Sequence, residues 1–220
     1  SIGRLVGSEM CIRDSSSIKV GVLSGPNLAK EIADEKVAGT VIASKHADLC
    51  NLGREILSSS TFKIYTSADT QGIELAGALK NIYAIISGYC HSLDVGENAI
   101  GLILTRSMAE MSNFAVSKGA NPITFLGLAG MGDLVATCFS KLSRNYQFGW
   151  AIGEGLDIEA AKNKVGQVAE GLNTIKIIHS EISSSEIKMP LVSGMHEILF
   201  NNGSKELLLE QIINLSLIHI

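Results

Sequence analysis

The chain has 220 residues, of which 46% are hydrophobic and 18% are charged. This composition excludes an intrinsically disordered or collagen-like protein, and the length allows one large domain or two small ones. The formal net charge is -4 and the sequence has no block of like charges, so we do not expect nucleic acid as a partner. No apolar run reaches the roughly 18 to 20 residues of a membrane helix, so we expect no membrane insertion.

The four cysteines indicate a reducing compartment. They lie far apart in the sequence and form no C-x-x-C pair: Cys11, Cys50, Cys90 and Cys138. Neither a metal site nor a disulfide framework is therefore expected. Reduced, packed thiols predict a cytoplasmic protein.

The two ends of the chain differ from the rest in pattern. Residues 1–16, SIGRLVGSEMCIRDSS, have neither helical nor strand periodicity, and the last five residues, SLIHI (216–220), follow a well-patterned helix abruptly. We expect both segments to be non-native extensions. On that hypothesis the chain is a fragment, and the natural gene product continues upstream of about Ser17.

Strands and helices alternate in the first part of the chain after residue 16. A β-branched run ends at Ser24 and is followed by a helical pattern that starts at Pro26. Two more β-rich runs, 38–45 and 61–67, flank an amphipathic helix at 46–59. This alternation predicts part of a parallel α/β sheet over residues 17–68, with its partner strands upstream.

After residue 68 the sequence predicts helices alone, over residues 69–215. The breaks between them carry Gly, Asn or Pro, and the expected helices are 71–91, 98–118, 122–128, 133–139, 143–153, 158–164, 170–183, 191–201 and 204–214. The fold class predicted is therefore the remnant of an α/β domain followed by an all-helical domain.

Lys80 is the first candidate for chemistry. It lies on the predicted apolar helix GIELAGALKNIYAIISGY, where Ala76, Gly77 and Ala84 leave room for another surface to approach it. Desolvation of an ammonium group favours the neutral amine, which suits a general acid or base near neutral pH. The structural alternative is a lysine that extends to the helix end and into solvent.

Two further segments combine ligand-binding residue types. In GLAGMGDL three glycines precede Asp133, which suits either a ligand contact or a helix N-cap. In KLSRNYQ, Ser143, Arg144 and Asn145 stand at a predicted helix start, where hydroxyl, amide and guanidinium donors suit a phosphate. Glu170 in QVAEG would by itself be a first-turn acid.

Taken in order, the segments SGPNLAKE, ELAGALKN, GLAGMGDL, SRN and QVAEG resemble the bacterial NAD(P)-dependent glycerol-3-phosphate dehydrogenases. The resemblance runs from about residue 18 to residue 215. It implies the end of a Rossmann-type dinucleotide-binding domain followed by a helical substrate domain. It also implies reversible reduction of dihydroxyacetone phosphate to sn-glycerol 3-phosphate in the cytoplasm, for glycerophospholipid synthesis.

The resemblance assigns roles to residues of this chain. Lys80 matches the residue that exchanges the proton with the substrate oxygen. Other positions match substrate contacts, namely Gly25, Asn27, Asp133, Ser143, Arg144 and Asn145. Positions that match NAD or NADP contacts are Ala29, Arg144, Val168 and Glu170. The family usually has Ser or Thr where this chain has Asn27.

Two motifs of the family are absent from the 220 residues. The family begins with a strand and a G-x-G-x-x-G turn that holds the pyrophosphate, and a lysine-bearing TKG segment follows it; neither occurs here. Loss of these donors weakens dinucleotide binding by about a thousandfold or more. We therefore expect this polypeptide to have little activity of its own.

Two other functions remain open from the sequence. One is a non-catalytic helical module that dimerises or docks a partner through an apolar face, and a homodimer is open in either case. The other is a related two-domain dehydrogenase that acts on 6-phosphogluconate or a hydroxy acid. The SRN and GMGD segments favour glycerol-3-phosphate dehydrogenase over that relative.

Overall fold

A three-stranded sheet begins the part of the chain described by the computed structural model, which comprises residues 19–166 and 169–214. Strands β1 (Val22–Ser24), β2 (Ala38–Ala43) and β3 (Phe62–Ser67) follow one another in the order β1-β2-β3. Helices α1 (Ala29–Ala33) and α2 (Ala47–Leu57) connect them. The predicted alternation of strands and helices is therefore confirmed.

The direction of β1 differs from the prediction. Strands β2 and β3 are parallel, with Ala38 opposite Phe62, but β1 runs antiparallel to β2, with Val22 opposite Ala43. The expectation of a wholly parallel sheet was wrong because periodicity reveals a strand and not its direction. β1 is also shorter than the β-branched run that predicted it, because its pairing with β2 starts at Val22.

Alternate side chains of β2 fill two cores, as strand geometry requires. On one face Val41 and Ala43 pack with Ile73 and Ala129. On the other face Ile42 packs with Cys50 of α2 and with a residue of the neighbouring strand, Ile64. The sheet is thus covered by α2 on one face and by later parts of the chain on the other.

The rest of the described chain is helical. Its helices are α3 (Thr70–Ser92), α4 (Glu97–Ser117), α5 (Pro122–Leu126), α6 (Asp133–Phe139), α7 (Arg144–Gly153), α8 (Ile158–Val165), α9 (Glu170–Ile182), α10 (Pro190–Phe200) and α11 (Lys205–Asn214). Each helix predicted after residue 68 has a counterpart here. In the residues that the structure describes, none of these helices is both long and apolar enough to cross a bilayer.

The chain divides into two compact units. The first contains the described residues up to Lys80 together with Met111–Thr137, and the second contains Asn81–Glu110 with the described residues from Cys138 onward. Neither unit coincides with the predicted domains 17–68 and 69–215, and that boundary stays a prediction. The expected extensions, 1–16 and 216–220, lie outside the described residues.

In the second unit, helices α3 and α7 cross at very short range. A Cβ atom on Gly149 of α7 would overlap the carbonyl oxygen of Ile85, and one on Gly88 of α3 would overlap the carbonyl oxygen of Tyr146. Only glycine permits such contact between two backbones. The two positions therefore fix where α7 lies along α3.

A buried acid also holds the second unit together. Glu110, at 5% exposure, accepts hydrogen bonds from the Tyr83 hydroxyl at 3.0 Å and from the Leu191 backbone N–H at 2.8 Å. Burial raises the pKa of Glu110 to about 8, although the two hydrogen bonds and nearby Arg106 oppose the rise. Glu110 thus links α4 to α3 and to the first turn of α10.

Candidate active site

Lys80 and Asp133 form an ion pair in the first unit. The ammonium nitrogen of Lys80, on α3, lies 2.5 Å from Oδ2 of Asp133, the first residue of α6. The Lys80 side chain is 19% exposed and that of Asp133 is 3% exposed. The lysine therefore does not extend to the helix end, and the alternative of a solvated lysine is wrong.

Two hydroxyl groups complete the surroundings of the Asp133 carboxylate. Ser24 Oγ donates to Oδ2 at 3.4 Å, and Thr137 Oγ1 donates to Oδ1 at 3.2 Å. Burial raises the pKa of Asp133 from its ordinary value, and Lys80, Thr137 and Ser24 oppose this by stabilising the charged form. The bonds that the structure shows for this carboxylate thus go to three side chains.

The local sequence explains how these groups meet. Ser24 ends β1 and lies against α3 at Gly77, where an added Cβ would approach its Oγ to 2.9 Å. Gly77 lies one helical turn before Lys80, so the small residue brings the strand end close to the lysine's face of the helix.

The three glycines of GLAGMGD form no open loop. Gly127 is the extended N-cap of a single π-helical turn, Leu128–Gly132, and the other two glycines lie within that turn, which runs directly into α6 and buries Ala129 and Gly130. Such turns occur within helical segments and are frequent at functional sites. Here the turn sets the position of Asp133 at the start of α6.

Three predicted ligand residues follow β1 in the first unit. Gly25 is buried with φ +155°, and an added Cβ would lie 2.9 Å from Cα of Thr40. The Asn27 side chain donates to Thr40 Oγ1 at 3.2 Å. Ala29 is exposed at the start of α1. Gly25 and Asn27 therefore both pack against β2.

The SRN segment starts α7 in the second unit, as predicted. Ser143 is the N-cap, and its Oγ accepts a hydrogen bond from the Tyr146 N–H at 3.3 Å. Arg144 is exposed, whereas Asn145 is buried and accepts from the Gly171 N–H at 2.9 Å. The side chain of Asn145 thus connects the start of α7 to the first turn of α9 by a hydrogen bond.

The remaining predicted cofactor residues lie near the start of α9. Glu170 is its first residue and is exposed, and its Oε2 accepts from Asn81 Nδ2 at 3.4 Å. The structure therefore brings Asn145 and Glu170 to the same helix end in the second unit. Val168 lies outside the described residues.

Sequence reasoning missed two groups of the ion-pair cluster. Thr137 stands four residues after Asp133 on one helix, and this i, i+4 spacing was the available signal. Ser24 gave no such signal, because its contact with Asp133 joins residues that are 109 positions apart.

The cluster can bind and release one proton at a defined place. A partly exposed ammonium group can donate its proton outward while the buried carboxylate keeps the counter-charge beside it. The cluster therefore has the elements of a general acid and base.

Two family models match this chain. Residues 69–210 match the family described as NAD-dependent glycerol-3-phosphate dehydrogenase C-terminus, and residues 7–50 match the family described as NAD-dependent glycerol-3-phosphate dehydrogenase N-terminus. The C-terminal match contains Lys80, Asp133 and the SRN segment.

Two curated relatives are glycerol-3-phosphate dehydrogenases [NAD(P)+]. The protein of Pseudomonas putida is 51% identical over 195 residues, which are 89% of this chain and 57% of the relative. The protein of Ectopseudomonas mendocina is 50% identical over 208 residues, which are 94% of this chain and 60% of the relative. The chain thus spans about three fifths of the length of these relatives.

Two solved structures share the fold. The glycerol-3-phosphate dehydrogenase of Coxiella burnetii is 35% identical with a TM-score of 0.84, covering 90% of this chain and 60% of that one. The enzyme of Saccharomyces cerevisiae is 29% identical with a TM-score of 0.79, covering 89% and 60%. The predicted fold class, a Rossmann-type part followed by a helical domain, is therefore confirmed.

Proposed function

Because this chain belongs to the NAD-dependent glycerol-3-phosphate dehydrogenase family, we propose that it serves the interconversion of sn-glycerol 3-phosphate and dihydroxyacetone phosphate. The observation that carries the proposal is the Lys80–Asp133 ion pair. It joins two of the five segments on which the resemblance rests. It also gives the lysine ammonium a fixed negative counter-charge.

Lys80 is the proton-transfer group in this proposal. In the direction of reduction its ammonium donates a proton to the C2 ketone oxygen of dihydroxyacetone phosphate. In the reverse direction its neutral amine accepts the proton of the C2 hydroxyl. Asp133 stabilises the ammonium form, and Thr137 and Ser24 hold the carboxylate by hydrogen bonds.

The cofactor of this reaction is NAD or NADP. The residues proposed to contact it are Ala29, Arg144, Val168 and Glu170. The exposed guanidinium of Arg144, at the start of α7, has the chemistry of a phosphate ligand and so fits a dinucleotide. When bound, the nicotinamide exchanges a hydride with C2 of the substrate.

The substrate contacts are proposals of the same kind. Besides Lys80 and Asp133 they are Gly25, Asn27, Ser143, Arg144 and Asn145. In the second unit Ser143 and Asn145 are held in place by hydrogen bonds to Tyr146 and Gly171. Residues held in this way lose little conformational entropy on binding a small anion.

The cellular role follows from the same family. We propose a cytoplasmic enzyme whose product, sn-glycerol 3-phosphate, supplies glycerophospholipid synthesis. Two curated relatives are named for the activity that interconverts this product and its ketone. A homodimer is tested by light scattering of the purified protein, which separates the mass of one chain from that of two.

A hybrid enzyme tests the proposed activity. It joins the residues of the Pseudomonas putida relative that precede its aligned segment to residues 19–214 of this chain. Oxidation of NADH or NADPH is followed at 340 nm with dihydroxyacetone phosphate, and dihydroxyacetone is the matched substrate without phosphate. We expect turnover with the phosphorylated ketone alone.

Two controls make this test specific. The donor segment of the relative, expressed alone, must give no turnover, because otherwise the activity does not depend on this chain. Lys36→Met removes an exposed lysine that is not one of the proposed contact residues and should leave turnover unchanged. A folded hybrid that binds cofactor but does not reduce dihydroxyacetone phosphate would contradict the proposal.

A further inference from the structure

Two histidines outside the proposed active site stack on one another in the second unit. His179 lies in the last turn of α9 and His196 lies in α10. Their ring centroids are 3.7 Å apart and the ring planes differ by 7°. The stack places two imidazole rings, each with a nitrogen able to bind an ion, side by side between two helices.

A carboxylate completes a set of three donors. One ligand atom each from His179, His196 and Glu197 lies within 4.8 Å of the other two, and Nδ1 of His196 is 3.8 Å from Oε1 of Glu197. Ligands bound tetrahedrally at about 2.0 to 2.2 Å are about 3.4 Å apart. The three atoms are therefore close enough to share one ion once one of the two imidazole rings changes its orientation.

One atom of this set gives a second, independent indication. Nδ1 of His196 is buried and has no hydrogen-bond partner among the residues that the structure describes. A buried polar atom without a partner costs free energy, and such an atom calls for an explanation such as an ion. A cation between His196 and Glu197 would give this nitrogen its partner.

The carboxylate is already held by a neighbouring side chain. Nδ2 of Asn201 donates to both oxygens of Glu197, at 3.0 Å each. Hydrogen bonds of this kind orient metal-binding carboxylates in known sites. A positive charge lies near the site, because the ammonium of Lys176 is 4.6 Å from the centre of the Phe200 ring, which itself lies 4.9 Å from the His196 ring.

We propose that His179, His196 and Glu197 bind one divalent transition-metal ion of the zinc class. Two imidazole nitrogens and one carboxylate suit Zn²⁺, Co²⁺ or Ni²⁺ rather than Ca²⁺ or Mg²⁺, which prefer oxygen ligands. Solvent completes the coordination, because all three residues are partly exposed. One imidazole turns about its χ2 axis, since the lone pairs of parallel rings do not converge. The ion joins α9 to α10.

The proposal is tested by titrating the chelator-treated 220-residue chain with Zn²⁺ in a calorimeter. We expect one ion per chain and a rise in melting temperature with Zn²⁺. His179→Phe and His196→Phe keep an aromatic ring but remove the nitrogen, and each should weaken binding by about tenfold or more. His46→Phe, at an exposed histidine, is the matched control and should not change the affinity.

Two further measurements exclude binding elsewhere. Lys176→Met removes a positive charge near the site and should tighten Zn²⁺ binding. Co²⁺ bound to the wild-type chain should give visible absorption bands of a nitrogen-ligated ion, a readout that needs no variant to fold. Equal Zn²⁺ affinity of the wild type and the folded double Phe variant would overturn the proposal, and so would the absence of the Co²⁺ bands.

Discussion

Asp133 is almost fully buried beside Lys80, whose side chain is 19% exposed, and the two charged atoms lie 2.5 Å apart. The pair therefore has a fixed, desolvated negative end and a positive end that solvent or a ligand can reach. A general acid needs this asymmetry, because its proton must leave while its counter-charge stays.

A double-mutant cycle measures the strength of this pair. Lys80→Met leaves a buried carboxylate without its cation, and Asp133→Asn leaves the ammonium without its anion. We expect each single variant to lower the free energy of unfolding by about 2 kcal/mol, and the double variant to lose less than the sum. Urea unfolding at pH 7 provides the values. Strict additivity would mean that the two side chains do not interact.

Glu110 should make the fold less stable as the pH rises. Its pKa is about 8 in the folded chain against an ordinary value of 4.5, so the folded state binds the proton more tightly than the unfolded state. Its contribution to stability is complete below about pH 4.5 and is lost as the pH rises through about 8. Between these limits the free energy of unfolding should fall by about 1.4 kcal/mol per pH unit.

Glu110→Gln removes the titration and should remove that slope. Urea unfolding of both proteins at pH 5, 6, 7 and 8 makes the comparison. Glu186→Gln, at an exposed glutamate, is the matched control and should keep the wild-type slope. The same slope in wild type and Glu110→Gln would show that Glu110 does not carry this proton.

Local patterns in the sequence predicted most of the helices. Asn121 and Ser143 mark helix starts as N-caps, and Pro190 stands at a first turn. These signals act within one turn, so they are visible without tertiary structure. The direction of β1 and the π-helical turn at 128–132 depend on packing against distant residues, which a local pattern does not contain.

Alanine should have opposite effects at a glycine of the α3–α7 crossing and at an open position in α4. Gly149→Ala places a methyl group against the Ile85 carbonyl and should destabilise the fold by about 3 kcal/mol or more. Gly101→Ala, in α4, meets nothing within 4 Å and should stabilise it by up to about 1 kcal/mol. Thermal unfolding followed by circular dichroism ranks the two variants. The crossing would be wrong if Gly149→Ala left the melting temperature unchanged.

Ser143 should stabilise α7 as its N-cap, apart from any contact with substrate. Ser143→Ala removes the bond to the Tyr146 N–H and should cost about 1 kcal/mol, whereas Ser143→Gly should cost only a few tenths of that. Chemical unfolding without ligand isolates this effect. If alanine were no worse than glycine, the serine would not act as a cap.

The candidate site was predictable in part. Lys80 and Asp133 stood out because each is a charged residue among small or apolar neighbours. Their pairing did not, since 53 positions separate them. The His179–His196 stack was missed for the same reason, because the two rings meet only through the packing of α9 on α10.

The most direct test of the account is the turnover of the hybrid enzyme with Lys80 replaced by Met. Loss of a general acid and base lowers kcat by about 10² to 10⁴, and we predict such a fall for dihydroxyacetone phosphate with KM changed by less than about tenfold. A kcat within a few-fold of the unsubstituted hybrid would contradict the assignment of the proton to Lys80.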